Sequence, residues 1–144
     1  MPCLEISLPV IPDSVRVRLA ETLTAAFSEH TGHPPEIFGI RFFEYEWGRA
    51  SSAGQICAPE DERPYLHMLL YTPRLKRAVK RRVVDVLNAA FVKAIGQPKW
   101  EPVIHLCEHP YDNVGVGGRL LSDLYPELAE KPFYYPTSDG PRAP

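Results

Sequence analysis

Pro2 stands directly behind the initiator methionine, and removal of Met1 would leave its ring nitrogen as a free secondary amine able to accept and return a proton. An ordinary α-amino group titrates at about 7.7–8.0, and burial or nearby cations disfavour its charged form, so such an amine can act as a general base near neutrality. A retained Met1 would turn the same nitrogen into an amide with no lone pair to offer. The other concentration of chemistry is a basic run, in which Arg74, Lys76, Arg77, Lys80, Arg81 and Arg82 are six cations in nine residues. The run reads either as a solvated helix face or as a positive mouth that draws in anions.

Other chemistries find less support. Sixteen Lys and Arg against 18 Asp and Glu give a net charge of −2, so there is no cationic surplus for a phosphate backbone, and no nucleic-acid partner is expected. His30 and His33 straddle a helix end without a third ligand nearby, and no metal site is expected. Gly115-Val116-Gly117-Gly118 follows a strand without the helix that a dinucleotide site needs. No cofactor is implied. Cys3, Cys57 and Cys107 are too far apart for a CxxC motif and too few for a disulfide scaffold, which fits reduced thiols in the cytoplasm. Apolar runs are far short of the roughly twenty residues of a membrane span, and nothing at the start resembles a signal peptide.

The elements that must position these residues follow from periodicity. The chain of 144 residues, 44% hydrophobic and 24% charged, suits one α+β domain. Residues 3–8 alternate as a half-buried strand, and Val15, Leu19, Leu23 and Phe27 recur every four residues as a helix that Asp13 or Ser14 can cap. Residues 37–45 are β-branched and aromatic enough for a second strand, and residues 47–63 form a loop or hairpin. The order then repeats, with a strand at 65–71, a helix at 75–95 and a strand at 103–107. Pro2 and Pro64 each open a first strand, 62 apart, whereas Gly32 and Gly96, Pro34 and Pro98, Glu44 and Glu108, and Gly54 and Gly118 are each 64 apart. This is a duplicated βαβ unit, with repeat one at 2–54 and repeat two at 64–118. Two such units give a four-stranded sheet with both helices on one face. The other face is expected to be apolar and uncovered, with Phe42 and Leu106 among its residues, and to drive self-association. The single domain spans 1–131. Five of the 16 prolines fall in the last nineteen residues, and 132–144 reads as an extended tail.

A proline behind the initiator methionine, a βαβ unit of this length, and a strand followed by Glu108 and the glycine turn ending at Gly118 together resemble the tautomerase superfamily. Repeat one carries a degraded copy of that turn between Glu44 and Gly54. The resemblance covers about residues 2–123, and two-unit members such as malonate semialdehyde decarboxylase and cis-3-chloroacrylic acid dehalogenase look closest in length. It implies a homotrimer, and it implies Pro2 as the catalytic group. Arg74, ten residues after Pro64, stands at the spacing at which the family places a substrate-binding arginine after its first-strand proline; the matching position after Pro2 is Pro12. Arg77 matches a second arginine more loosely. A guanidinium fork binds carboxylate, so the implied partner is a small anionic carboxylic acid. His105 lies near a site tyrosine of the dehalogenase and is either a structural histidine or a site residue. Arg41 shares a strand face with the family's tautomerase arginine, two positions on, within reach of a neighbouring subunit's site. Glu36 lies near the acidic residue of the decarboxylase and reads as a surface glutamate. Val116 stands where the dehalogenases need a water-activating glutamate.

Three functions remain open. The first is a cofactor-independent tautomerase of a small enol or α-keto carboxylate, with Pro2 moving the proton and Arg74 holding the carboxylate. The second is a hydratase or decarboxylase of a three-carbon acid with protonated Pro2 as general acid. The third is a non-catalytic trimeric interaction module.

Overall fold

The computed structural model describes residues 2–135. Leu4, Ile6 and Leu8 turn one side of strand β1 (Cys3–Pro9) fully inward, as their alternation requires. Helix α1 (Asp13–Thr31) follows. Its cap is not Asp13 or Ser14: Pro12 occupies the N-cap without a side-chain hydrogen bond, and Asp13, one residue too far along, holds Arg16 at 2.7 Å instead. After Gly32 ends the helix in the left-handed region (φ 75°), strand β2 (Gly39–Tyr45) lies parallel to β1. A small hairpin, β3 (Ser51–Ser52) and β4 (Gln55–Ile56), leads to strand β5 (His67–Thr72). Helix α2 (Arg77–Ile95) and strand β6 (Val103–Glu108) complete the second unit.

The four long strands run in the order β2-β1-β5-β6. Each βαβ pair is parallel, and the two pairs meet antiparallel through β1 and β5. Leu19, Leu23 and Phe27 of α1 share one core with Val79, Val83, Leu87 and Phe91 of α2, over Leu4, Ile6, Met68 and Leu70. Both helices therefore cover the same face. Beyond β6, a second hairpin, β7 (Gly115–Val116) and β8 (Arg119–Leu120), is followed by two short helical turns, α3 (Leu121–Leu124) and α4 (Pro126–Ala129).

Strand register corrects the expectation for the open face. Phe42 pairs with Ile6 and Leu106 with Leu70, so both lie on the helix side and pack against the core. Phe42 and Phe43 are consecutive, and the apolar pattern alone allows either to point inward. The open face instead carries Phe43, Leu69, Tyr71 and Val103 among Glu5, Ser7, Arg41, His67 and His105, by the same alternation. It is a mixed surface, with Tyr71 Oη donating to Glu5 at 2.7 Å.

The repeat is closer than its prolines suggest. The first strands start at Cys3 and His67, and 67 − 3 = 64, so Leu66 rather than Pro64 is the counterpart of Pro2. Glu5 pairs with Leu69, its own counterpart, since 69 − 5 = 64; a pseudo-twofold axis passes there. The strand-end glutamates repeat the same clamp. Glu44 accepts the Ile11 amide at 3.0 Å and pairs with Arg16 at 2.7 Å, while Glu108 accepts the Leu75 amide at 2.6 Å and pairs with Lys80 at 2.7 Å. Each clamp ties the leader of a helix to the end of the strand beside it, and the hydrogen bond from Arg16 holds the Glu44 carboxyl below its ordinary value. Glu44→Ala should lower stability by about 1–2 kcal/mol, between an exposed ion pair and a hydrogen-bonded buried charge. Urea denaturation checks this, and an unchanged midpoint would mean that Asp13 alone suffices for Arg16.

Candidate functional site

Because β1 and β5 are antiparallel, the start of β1 meets the end of β5: Cys3 pairs with Tyr71. Pro2 thus sits beside the strand-to-helix turn of repeat two. It is buried, and it lines a cavity of about 670 Å³ together with Thr31, His33, Ile37, Pro73 and Tyr111. The remaining wall comes from residues 121–135, chiefly Leu121, Tyr125, Leu128, Phe133 and Tyr135. A neighbouring cleft of about 320 Å³ holds Arg74, Glu108 and His109, and Lys131 and Tyr134 line both spaces.

Arg74 and Lys76 flank Leu75, which is 2% exposed and anchored through its amide to Glu108. Along an extended leader, residues i and i+2 share a side. Both cations accordingly lie over one ring: Arg74 Cζ is 4.9 Å and Lys76 Nζ 5.7 Å from the centroid of Phe133. Phe133 itself borders the Pro2 cavity. Two exposed cations therefore stand next to the cavity that contains the proline, in an arrangement suited to an anion whose reactive carbon lies nearer the ring nitrogen.

His33 lines the cavity and is 8% exposed. Its Nε2 lies 3.4 Å from the Ile37 carbonyl and its Nδ1 3.5 Å from Tyr135 Oη. A carbonyl only accepts, so Nε2 carries the proton and Nδ1 faces the tyrosine hydroxyl as an acceptor. Burial pushes the imidazole pKa below its ordinary value and that of Tyr135 above. Both groups are neutral at pH 7. Tyr135 meets the core through an edge-on contact with Phe27, ring centroids 6.0 Å apart, and Tyr134 stacks on Tyr111 at 5.1 Å.

Of the sequence candidates, Pro2 and Arg74 come together. Arg77, the first residue of α2, lies instead in a groove with Lys80, Arg81 and Asp85. His105 is exposed on the open sheet face, its Nδ1 2.7 Å from His67 Nε2. Arg41 is exposed on the same face of β2, its guanidinium 4.8 Å above Phe43. Glu36 is exposed in a single 3-10 turn and does not line the cavity. Among the described residues, no group of three His, Cys, Asp or Glu side chains is placed to hold a metal.

Sequence reasoning missed Tyr111, Phe133 and Tyr135, and named Lys76 only as one cation of the basic run. Lys76 was within reach: with Leu66 as the counterpart of Pro2, ten residues on is Lys76, and the equivalent of Arg74 is Val10 rather than Pro12. Tyr135 was not, because residues 133–135 carry no periodicity. The described part of the expected tail, 132–135, folds back, with the Tyr134 amide donating to the Arg74 carbonyl at 2.9 Å; residues 136–144, like Met1, lie outside the described residues.

Neither a family model nor a curated protein matches the chain. Solved structures do. A wild-type fused 4-OT asymmetric trimer aligns at TM-score 0.71 and 20% identity, over 85% of this chain and 98% of its own. Malonate semialdehyde decarboxylase aligns at 0.68 and 15%, over 88% and 98%. A member of the cis-3-chloroacrylic acid dehalogenase family aligns at 0.67 and 17%, over 90% and 92%. The chain has the tautomerase-superfamily fold.

Unfolded, the His33 imidazole would titrate near its usual 6.5; folded, it takes its proton only at lower pH. The unfolded chain then binds more protons below 6.5, so stability that is full above this value is lost as pH falls through and beneath it. Denaturation midpoints at pH 7.5 and 5.0 should fall further in the wild type than in His33→Gln. Equal losses would show that this imidazole is not what acid attacks.

Proposed function

We infer that the chain is a cofactor-independent tautomerase of an enol or α-keto carboxylate, with the Pro2 amine, once Met1 is removed, moving the proton. The observation that carries this reading is the joint position of a buried Pro2 and two leader cations, Arg74 and Lys76, whose common platform Phe133 borders the proline's cavity. The fold shared with fused 4-OT supports it. In the reaction, Arg74 and Lys76 hold the carboxylate and stabilise the charge of the dienolate that forms as the proton leaves carbon. Pro2 takes that proton and returns it to another atom of the same substrate.

Arg74→Ala and Lys76→Ala should each cost about 2–4 kcal/mol of transition-state stabilisation for a carboxylate substrate and leave a neutral ester analogue nearly unaffected. Equal loss on both would make these cations structural. Trimmed protein should ketonise a 2-hydroxydienoate, and protein that retains Met1, or carries Pro2→Ala, should be much slower. Rates rising with pH through the amine titration mark a base, and falling rates mark an acid. Equal rates with and without Met1 would rule out Pro2 as the catalyst.

The same reading extends to assembly as a homotrimer through the open sheet face. Phe43 and Val103, 42% and 61% exposed, are apolar area that subunit packing would bury, and the fused 4-OT neighbour is a trimer. Sedimentation should give a trimer at micromolar concentration, and a stable monomer would refute it.

A further inference from the structure

We propose, resting on the reading of Pro2 and its cations just given, that the carboxylate taken by this site carries a bulky apolar group, of about the size of an aromatic ring, at the end away from its acid. Three observations converge on this. The first is size. A water molecule occupies about 30 Å³ of liquid, so an acid of three carbons needs only on the order of 100 Å³, whereas the Pro2 cavity measures about 670 Å³.

The second is the chemistry of the walls. Much of the cavity lining is apolar or aromatic, with Ile37, Leu121, Tyr125, Leu128 and Tyr135 among its residues. Ile37, Tyr125 and Leu128 remain 44%, 52% and 37% exposed, so apolar surface is left open beside the proline rather than folded away. Pockets that recognise small molecules combine such a lining with a few fixed polar groups. Here the leader cations Arg74 and Lys76 stand over Phe133, and Lys131 lines the cavity itself.

The third is the comparison within the chain. At the pseudo-symmetric end of the sheet, Leu66 replaces Pro2, and Trp100 packs against the core with its ring centroid 6.4 Å from that of Trp47. The counterparts 64 positions away are Glu36 for Trp100 and Tyr111 for Trp47. Repeat two closes its end with its own indole. Repeat one has an exposed glutamate there; Tyr134 of the C-terminal segment stacks on Tyr111 instead, and the cavity beside Pro2 stays open.

Calorimetric titration of non-reacting saturated acids tests the subsite without relying on turnover. From acetate through butanoate to hexanoate, affinity should rise about fourfold per methylene, the gain expected for burying each one. 3-Phenylpropanoate should bind at least tenfold more tightly than butanoate. Leu128→Trp, at a position exposed enough to accept the larger ring, should abolish the gain beyond butanoate. A flat series, absence of binding, or an unaltered gain in Leu128→Trp overturns the proposal. The two readings fail separately: a rising series in trimmed protein that ketonises nothing sinks the tautomerase and leaves the subsite, and a flat series with Pro2-dependent turnover sinks the subsite alone.

Discussion

The antiparallel pairing of β1 with β5 fixes nearly everything else. Glu5 faces Leu69, its own image in the other repeat, so each strand must begin where its partner ends. Pro2 then has no freedom to sit elsewhere than beside Pro73 and the leader of α2. A slip of the register by one residue would turn one central strand over relative to the other and expose either Leu4 and Ile6 or Met68 and Leu70, all now at most 1% exposed. Full burial of each such side chain is worth about 1.5–3 kcal/mol. The hydrophobic core thereby enforces the position of the proline.

Symmetry would offer two equivalent sites per chain, and the sequence fills one. A free prolyl amine can exist only at a chain's N-terminus, so on the proposed reading the second end of the sheet has nothing to gain from a cavity. Leu66 and the Trp47–Trp100 pair close it with apolar bulk. The first end is roofed from outside the duplication, by residues 121–135. Their attachment is specific: Tyr135 reaches His33 and Phe27, and Tyr134 reaches both Tyr111 and the Arg74 carbonyl.

Much of this was legible in the sequence where local periodicity decides. Strand alternation, four-residue helix spacing and landmarks 64 apart gave the duplicated unit and its order. The turns were readable as well: Ala53-Gly54 and Gly117-Gly118 both have positive φ, as a two-residue hairpin turn demands. What failed depended on long-range choice. Phe42 and Phe43 offer both parities, and only the pairing with β1 selects Phe42 for the core. Anchoring repeat two on Pro64 put it two residues out of step, which hid Lys76 behind Arg74. The C-terminal aromatic wall was illegible because its pattern belongs to the surface it covers, not to any helix or strand of its own.

The basic run shows how a single stretch of like charge is divided by backbone geometry. α2 begins at Arg77, so the run crosses from extended chain into helix. Within the helix the cations disperse: Lys80 is taken by Glu108, and Arg82 reaches the His30 carbonyl at 3.4 Å. In the extended leader the alternation of side chains keeps Arg74 and Lys76 together, and the inward Leu75 between them prevents the pair from rotating away. Their positions are thus set by one buried leucine and by the carboxylate that holds its amide. Two like charges on one ring repel, and the Phe133 face lowers that cost only in part. Glu108 shares the cleft with Arg74, and on the proposed reading an arriving carboxylate relieves what repulsion remains.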